Sequence, residues 1–198
     1  MRQVNILVKK LPNQALVGDC IGVERGALAL CETEYPLVLA LGDFDSVTTE
    51  EKHKIEKYFD KVITFPKIKS ASDGELAIKA ALKLGYDQIF MYDALQFRAD
   101  HAHVNILLAY RYPKLTLIDD YNRVRVYLAG EYKIEAFDYP YLSLFTLEEA
   151  IISLTGVSYP LDHQTIHYND TYTLSNEIKS DCKLIVHSGR VLVYLSRD

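Results

Sequence analysis

Four aspartates stand where carboxylates could act together: Asp43, Asp45, Asp73 and Asp100. Asp43 and Asp45 follow the uncharged, mostly apolar stretch Leu37 to Gly42, which reads as a buried strand of a parallel sheet. Open α/β sheets bind ligands just beyond the carboxyl ends of their strands. An Asp-x-Asp pair at that place can hold a hard divalent cation through oxygen ligands. Asp73 and Asp100 each fall where a helix starts after a strand. Four carboxylates converging over one edge would repel one another unless a cation lay among them. The set therefore points to Mg²⁺ with a polyphosphate. Arg98, two residues before Asp100, could offer its planar fork to phosphates. Each aspartate also has a plainer reading. Asp45-Ser46 could cap a helix, Asp73 could face a helix dipole, and Asp100-His101 could be a solvated helix end. Their joint occurrence favours a site.

The elements that must position them alternate. Strands are expected at 4–8, Asp19 to Val23, Leu37 to Gly42, Val62 to Phe65, Gln88 to Tyr92 and Leu115 to Ile118. Helices are expected at Glu24 to Cys31, from Thr48-Thr49 through Phe59, at Ser72 to Leu84 and at Asp100 to Tyr110. Ile55 and Phe59 share one helix face. Ser72 with Glu75 reads as a capping box, and Leu76, Ala80 and Leu84 recur at four-residue spacing behind it. Such alternation predicts a doubly wound parallel α/β domain over residues 1–120. From residue 121 to 198 the pattern becomes antiparallel β, and a small sandwich is expected. Period-two runs flank Ala129-Gly130 and Ser188-Gly189, which read as hairpin turns. Further strands are expected at Tyr141 to Thr146, Ala150 to Leu154 and Thr171 to Leu174.

The chain has 198 residues, 49% of them hydrophobic, and a net charge of −5. That suits a globular protein and argues against a nucleic-acid binder, which usually carries a basic stripe. No long apolar run or N-terminal signal is present, so a cytoplasmic protein with no membrane contact is expected. Three scattered cysteines, Cys20, Cys31 and Cys182, read as reduced thiols, and zinc-ligand spacing is lacking.

Several motifs follow one another along the chain: Gly42-Asp43-Phe44-Asp45-Ser46, Ser72-Asp73 with Leu76-Ala77, Arg98-x-Asp100-His101 with Asn105, and Thr155 to Leu161. Leu174-Ser175-Asn176-Glu177 and Ser188 to Val193 complete the series. This ordered set resembles the motifs of the thiamin pyrophosphokinase family. Gly22 to Ala27 also fits an Asp-x-Gly-Ala stretch of the family, with Glu24 in place of the aspartate. The resemblance implies an α/β nucleotide-binding domain and a β-sandwich thiamin-binding domain. It implies a homodimer whose active sites lie between subunits, and transfer of a diphosphoryl group from ATP to thiamin, giving thiamin diphosphate and AMP. It implies that Asp43, Asp45, Asp73 and Asp100 are catalytic and hold Mg²⁺. Asp43, Ser46, Lys69, Arg98, Asp100 and His101 would bind nucleotide, and Ser175 and Asn176 would bind thiamin. The sequence departs from the family in two loops. Lys9-Lys10 stand where the family has glycines. Its glycine-rich Gly-Ala-x-Gly-Gly-Arg reads Asp93-Ala94-Leu95-Gln96-Phe97-Arg98.

Two alternatives remain open at this point. A haloacid-dehalogenase-type phosphatase would use Asp43-Phe44-Asp45-Ser46-Val47 as its nucleophile loop. That fold places the motif after its first strand, whereas at least two strands precede it here. The other is a family member that binds thiamin or a nucleotide without transfer.

Overall fold

The computed structural model describes residues 1–68, 70–96 and 98–198. The chain forms two compact units. The first is Met1–Leu108 with Lys114–Asp120, and the second is Ala109–Pro113 with Tyr121–Asp198.

The first unit contains β1 (Gln3–Leu7), β2 (Asp19–Val23), α1 (Arg25–Leu30), β3 (Leu37–Gly42) and α2 (Thr49–Tyr58). It continues with β4 (Val62–Thr64), α3 (Asp73–Lys83), β5 (Gln88–Tyr92), α4 (Ala99–Arg111), whose end from Ala109 on is counted with the second unit, and β6 (Leu115–Ile118). All strand pairings in this unit are parallel, in the order β4-β3-β2-β1-β5-β6. The chain works outward from β1 to β4 and then returns to lay β5 on the other side of β1. The reversal point lies between the carboxyl ends of β1 and β5, where open α/β sheets hold ligands.

Side chains alternate across each strand, so each face of the sheet is covered separately. Leu7, Cys20, Ala40, Tyr92 and Ile118 meet Ala27 and Leu30 of α1 and Ile55 of α2 in one apolar cluster. Gly74 of α3 lies beside Met91, the neighbour of Tyr92 that points to the other face. Helices therefore cover both faces, as a doubly wound sheet requires. Thr48 and Glu51 form a reciprocal capping box on α2, and the Ser72 side chain accepts from Glu75 N–H at the start of α3. The buried stripe of α3 is Ala77, Ile78 and Ala81, which corrects the expected Leu76-Ala80-Leu84 face. Small side chains let α3 approach the sheet, leaving Leu84 37% exposed. Close approach also fixes α1. A Cβ on Gly26 would stand 1.9 Å from the Leu7 carbonyl oxygen.

The second unit is antiparallel: β7 (Asn122–Ile134), β8 (Tyr141–Phe145), β9 (Ala150–Val157), β10 (Leu161–Ile166) and β11 (Asn176–Ser196). Both expected hairpin turns are corrected. β7 runs straight through Ala129-Gly130, and β11 runs through Ser188-Gly189 as its partner. Val186 pairs with Gly130 and Arg190 with Leu128, so β11 carries two extra residues there as a bulge. A bulge bends a strand and resets which side chains face inward. Leu184 and Val186 before it, and Val191, Val193 and Leu195 after it, accordingly reach the same core. Gly189 takes φ +74, and a Cβ there would meet the Glu149 carbonyl at 2.5 Å. Beyond the bulge β11 pairs with β8, and before it with β9, which pairs in turn with β10. The halves of β7 and β11 thus belong to two sets of strands around one core. Thr171 to Leu174, expected as a strand, is a turn clipped to β8 by Leu144 N–H donating to the Thr173 carbonyl at 3.1 Å.

Candidate active site

The carboxyl edge of the first unit's sheet is built from strained strand ends. Glu24 after β2, Phe44 after β3 and Asp93 after β5 have φ of +54, +55 and +60. Side chains rarely adopt this left-handed conformation, and it concentrates where function holds the backbone. Glu24 turns its carboxylate across to the next loop. Its Oε1 accepts from Phe44 N–H at 2.6 Å, and its Oε2 accepts from the Ser46 hydroxyl at 2.7 Å. Gly42 makes room for it, because a Cβ there would stand 2.0 Å from Glu24 Oε1. Asp45 N–H donates to Asp43 Oδ1 at 3.3 Å, folding the Asp-x-Asp loop on itself.

The result is a group of three carboxylates. Ligand oxygens of Glu24, Asp43 and Asp45 all lie within 4.8 Å of one another. Lys67 pairs with Asp45 at 3.2 Å. Three hard oxygen donors this close fit a divalent cation such as Mg²⁺. Sequence reasoning treated Glu24 only as a replaced aspartate at a helix start. The available signal was its place at the end of β2, the neighbour of β3 in the sheet.

Glu24 and Ser46 also line a cavity of about 550 Å³ over the strand-order reversal. Ser72, Asp73, Asp93, Arg98, Asp100 and His101 line it as well, with Lys9 at the end of β1. Asp73 and Asp100 therefore share the cavity but stand outside the three-carboxylate group. Asp73 opens α3, with Ser72 as its cap. Asp100 is already engaged. Arg98 grips it through Nε at 3.1 Å and through its second nitrogen, and His101 N–H donates to it at 3.0 Å. The Arg98 guanidinium holds the Asp100 carboxyl down to about 2. Arg25 bonds the Ser46 carbonyl at 3.0 Å, tying α1 to the Asp-x-Asp loop. Asn105 donates to the Ala94 carbonyl at 2.7 Å and steadies the loop after β5. Lys69 and Phe97 lie outside the described residues.

Ser175 and Asn176 belong to the second unit. Ser175 takes φ +54, and its N–H donates to the Ser143 hydroxyl at 2.9 Å. The Asn176 amide bonds both backbone groups of Tyr159, accepting at 2.9 Å and donating at 2.7 Å. It fixes Tyr159 beside a small cavity of about 40 Å³ that Leu142, Leu144, Tyr172 and Thr173 also line.

Residues 11–118 match the family model of the thiamin pyrophosphokinase catalytic domain, and residues 131–192 that of the vitamin B1 binding domain. The thiamine pyrophosphokinase of Bacillus subtilis is 35% identical over 165 residues, covering 80% of this chain and 77% of that protein. A crystal structure of the Bacillus subtilis protein agrees with a TM-score of 0.87 at 31% identity, over 100% of both chains. Thiamin pyrophosphokinase from Candida albicans shares the fold, with a TM-score of 0.76 at 16% identity over 100% of this chain and 90% of that one. Two family models in the expected order, together with the Bacillus subtilis relative, settle the assignment: the chain belongs to the thiamin pyrophosphokinase family.

Proposed function

We propose that the protein transfers the diphosphoryl group of ATP to the hydroxyl of thiamin, giving thiamin diphosphate and AMP. The observation that carries this reading is the Glu24, Asp43 and Asp45 carboxylate group, whose Glu24 lines a cavity that also presents Lys9 and Arg98. Transfer to an alcohol needs in-line positioning and charge neutralisation more than covalent work by the protein. Asp43 and Asp45, with Glu24 beside them, would hold Mg²⁺, which when bound neutralises charge on the transferring phosphates. Lys9 offers a point charge to the same polyphosphate, and Arg98, oriented by Asp100, offers the guanidinium N–H groups that this pair leaves over. Asp73 and Asp100 face the cavity from two helix starts and would align the reacting groups. His101 and Lys69 complete the nucleotide-binding set carried over from the family.

Residues 1–120 act as the catalytic, nucleotide-binding part and residues 121–198 as the thiamin-binding part. Ser175 and Asn176 shape the thiamin site, Asn176 through its hold on Tyr159. The working form in this reading is a homodimer, with each active site completed by the second subunit, and it works in the cytoplasm. Loss of turnover on dilution to monomer is the expected behaviour.

Product analysis tests the reaction. Purified protein with thiamin, ATP and Mg²⁺ should yield thiamin diphosphate in step with AMP. ADP with thiamin monophosphate would overturn the diphosphoryl assignment. Saturable thiamin binding without product would leave a binding protein instead.

A further inference from the structure

Asp93 has no part in the reading above, yet it combines several costs. It stands at the carboxyl end of β5, where the strand order reverses, with φ +60. It is 9% exposed, and among the described residues its Oδ2 has no hydrogen-bond partner. The residue is among those that line the 550 Å³ cavity. Burial pushes its carboxyl pKa up, Lys10 and Lys9 draw it back, and Asp120 and Asp119 add to the rise. Buried acceptors are nearly always paired, so an unpaired one on a residue that lines a cavity asks for a donor that the described residues do not supply.

Three kinds of partner can be weighed. A phosphate would be repelled by a carboxylate. A divalent cation needs several oxygen ligands, and among the described residues Asp93 joins no group of three metal-ligating side chains. An uncharged O–H or N–H donor has neither objection, and carboxylates bind sugar hydroxyls in other doubly wound sheets. We propose that Asp93 recognises the nucleoside part of the nucleotide, accepting a hydrogen bond from an uncharged donor, the ribose hydroxyls foremost, and so sets nucleotide selectivity. This deepens the kinase reading, since the nucleotide is that reaction's donor.

Calorimetric binding with Mg²⁺ present separates the candidates. ATP, 2′-deoxy-ATP, 3′-deoxy-ATP and ITP are each titrated into wild type, Asp93→Asn and Asp93→Gly. Glycine suits the left-handed backbone, and asparagine keeps one acceptor oxygen. Wild type should bind ATP on the order of tenfold to a hundredfold tighter than the analogue that lacks the contacted donor. Asp93→Asn should keep part of that ratio, and Asp93→Gly should bring it close to one. Loss confined to a deoxy analogue identifies a ribose hydroxyl, and loss confined to ITP identifies the base amine. Equal ratios in wild type and Asp93→Gly would overturn the proposal, as would failure of wild type to bind ATP. The titration does not depend on turnover, so a protein that binds ATP selectively but makes no thiamin diphosphate would defeat the transfer reading alone.

Discussion

Two acidic regions of the first unit differ in how their charge is managed. At the ends of β2 and β3, Glu24, Asp43 and Asp45 are drawn together by donors that carry little or no charge: Phe44 N–H, the Ser46 hydroxyl and Asp45 N–H. At the start of α4, Asp100 is neutralised by Arg98 two residues away. The first arrangement gathers three carboxylates in one place, with Lys67 on Asp45 at 3.2 Å as a cation brought from a later loop. The second neutralises its charge within one turn of chain. Identical residue types thus serve different ends, because a strand-end loop offers backbone donors and a helix start offers its sequence neighbours.

The largest expected effect tests the concentrated group. Asp43→Asn and Asp45→Asn should each lower turnover by about a hundredfold to a thousandfold, the scale seen when one preorganised electrostatic contact is lost. The melting temperature should stay close to wild type, because Asp43 is only partly buried and Asp45 is exposed. Near wild-type turnover in both would break the contrast. Glu24→Gln comes next. It should raise the Mg²⁺ concentration for half-maximal activity by about tenfold to a hundredfold, as for groups that tune a metal site. Asp100→Asn ranks third. Without its partner Arg98 is no longer oriented, so KM for ATP should rise by about tenfold while the Mg²⁺ dependence stays put. A shift in Mg²⁺ dependence as large as that of Glu24→Gln would merge the two regions into one.

The sequence was most legible where one element meets one period. β2, β3, β5 and β6 have the expected bounds, because buried parallel strands are short apolar runs with clear ends. Thr48 and Ser72 marked helix starts through the hydroxyl that caps them. Legibility failed where three-dimensional neighbours decide. Glu24 joins Asp43 and Asp45 only because β2 lies beside β3, and spacing along the chain does not show that. In the second unit, Gly130 and Gly189 carry the chemistry of turns, yet they serve a bend between long strands. β10 has three exposed polar residues in a row, Asp162 to Gln164, so it shows no alternation and is defined by pairing with β9.

The smallest predicted effect contrasts Asp100 with Asp93, whose carboxyls are shifted in opposite directions. Arg98 depresses Asp100 to about 2 from an ordinary 3.8. Whatever the ion pair contributes is complete above the ordinary value and is lost as pH falls toward about 2. Both partners are exposed, so Asp100→Asn should barely change the melting temperature at neutral pH. Asp93 runs the other way. Burial raises its pKa, so the folded protein takes up its proton more readily than the unfolded chain. The charged form then costs stability at neutral pH, and the cost disappears as pH falls below 3.8, its ordinary value. Asp93→Asn removes the charge while keeping the shape and the tolerance for positive φ. Without nucleotide it should melt a few degrees above wild type at pH 7, with the gain shrinking as the solution is acidified. A gain that persists unchanged at low pH would assign the effect to packing, and a loss at pH 7 would mean that Lys9 and Lys10 more than compensate the buried charge.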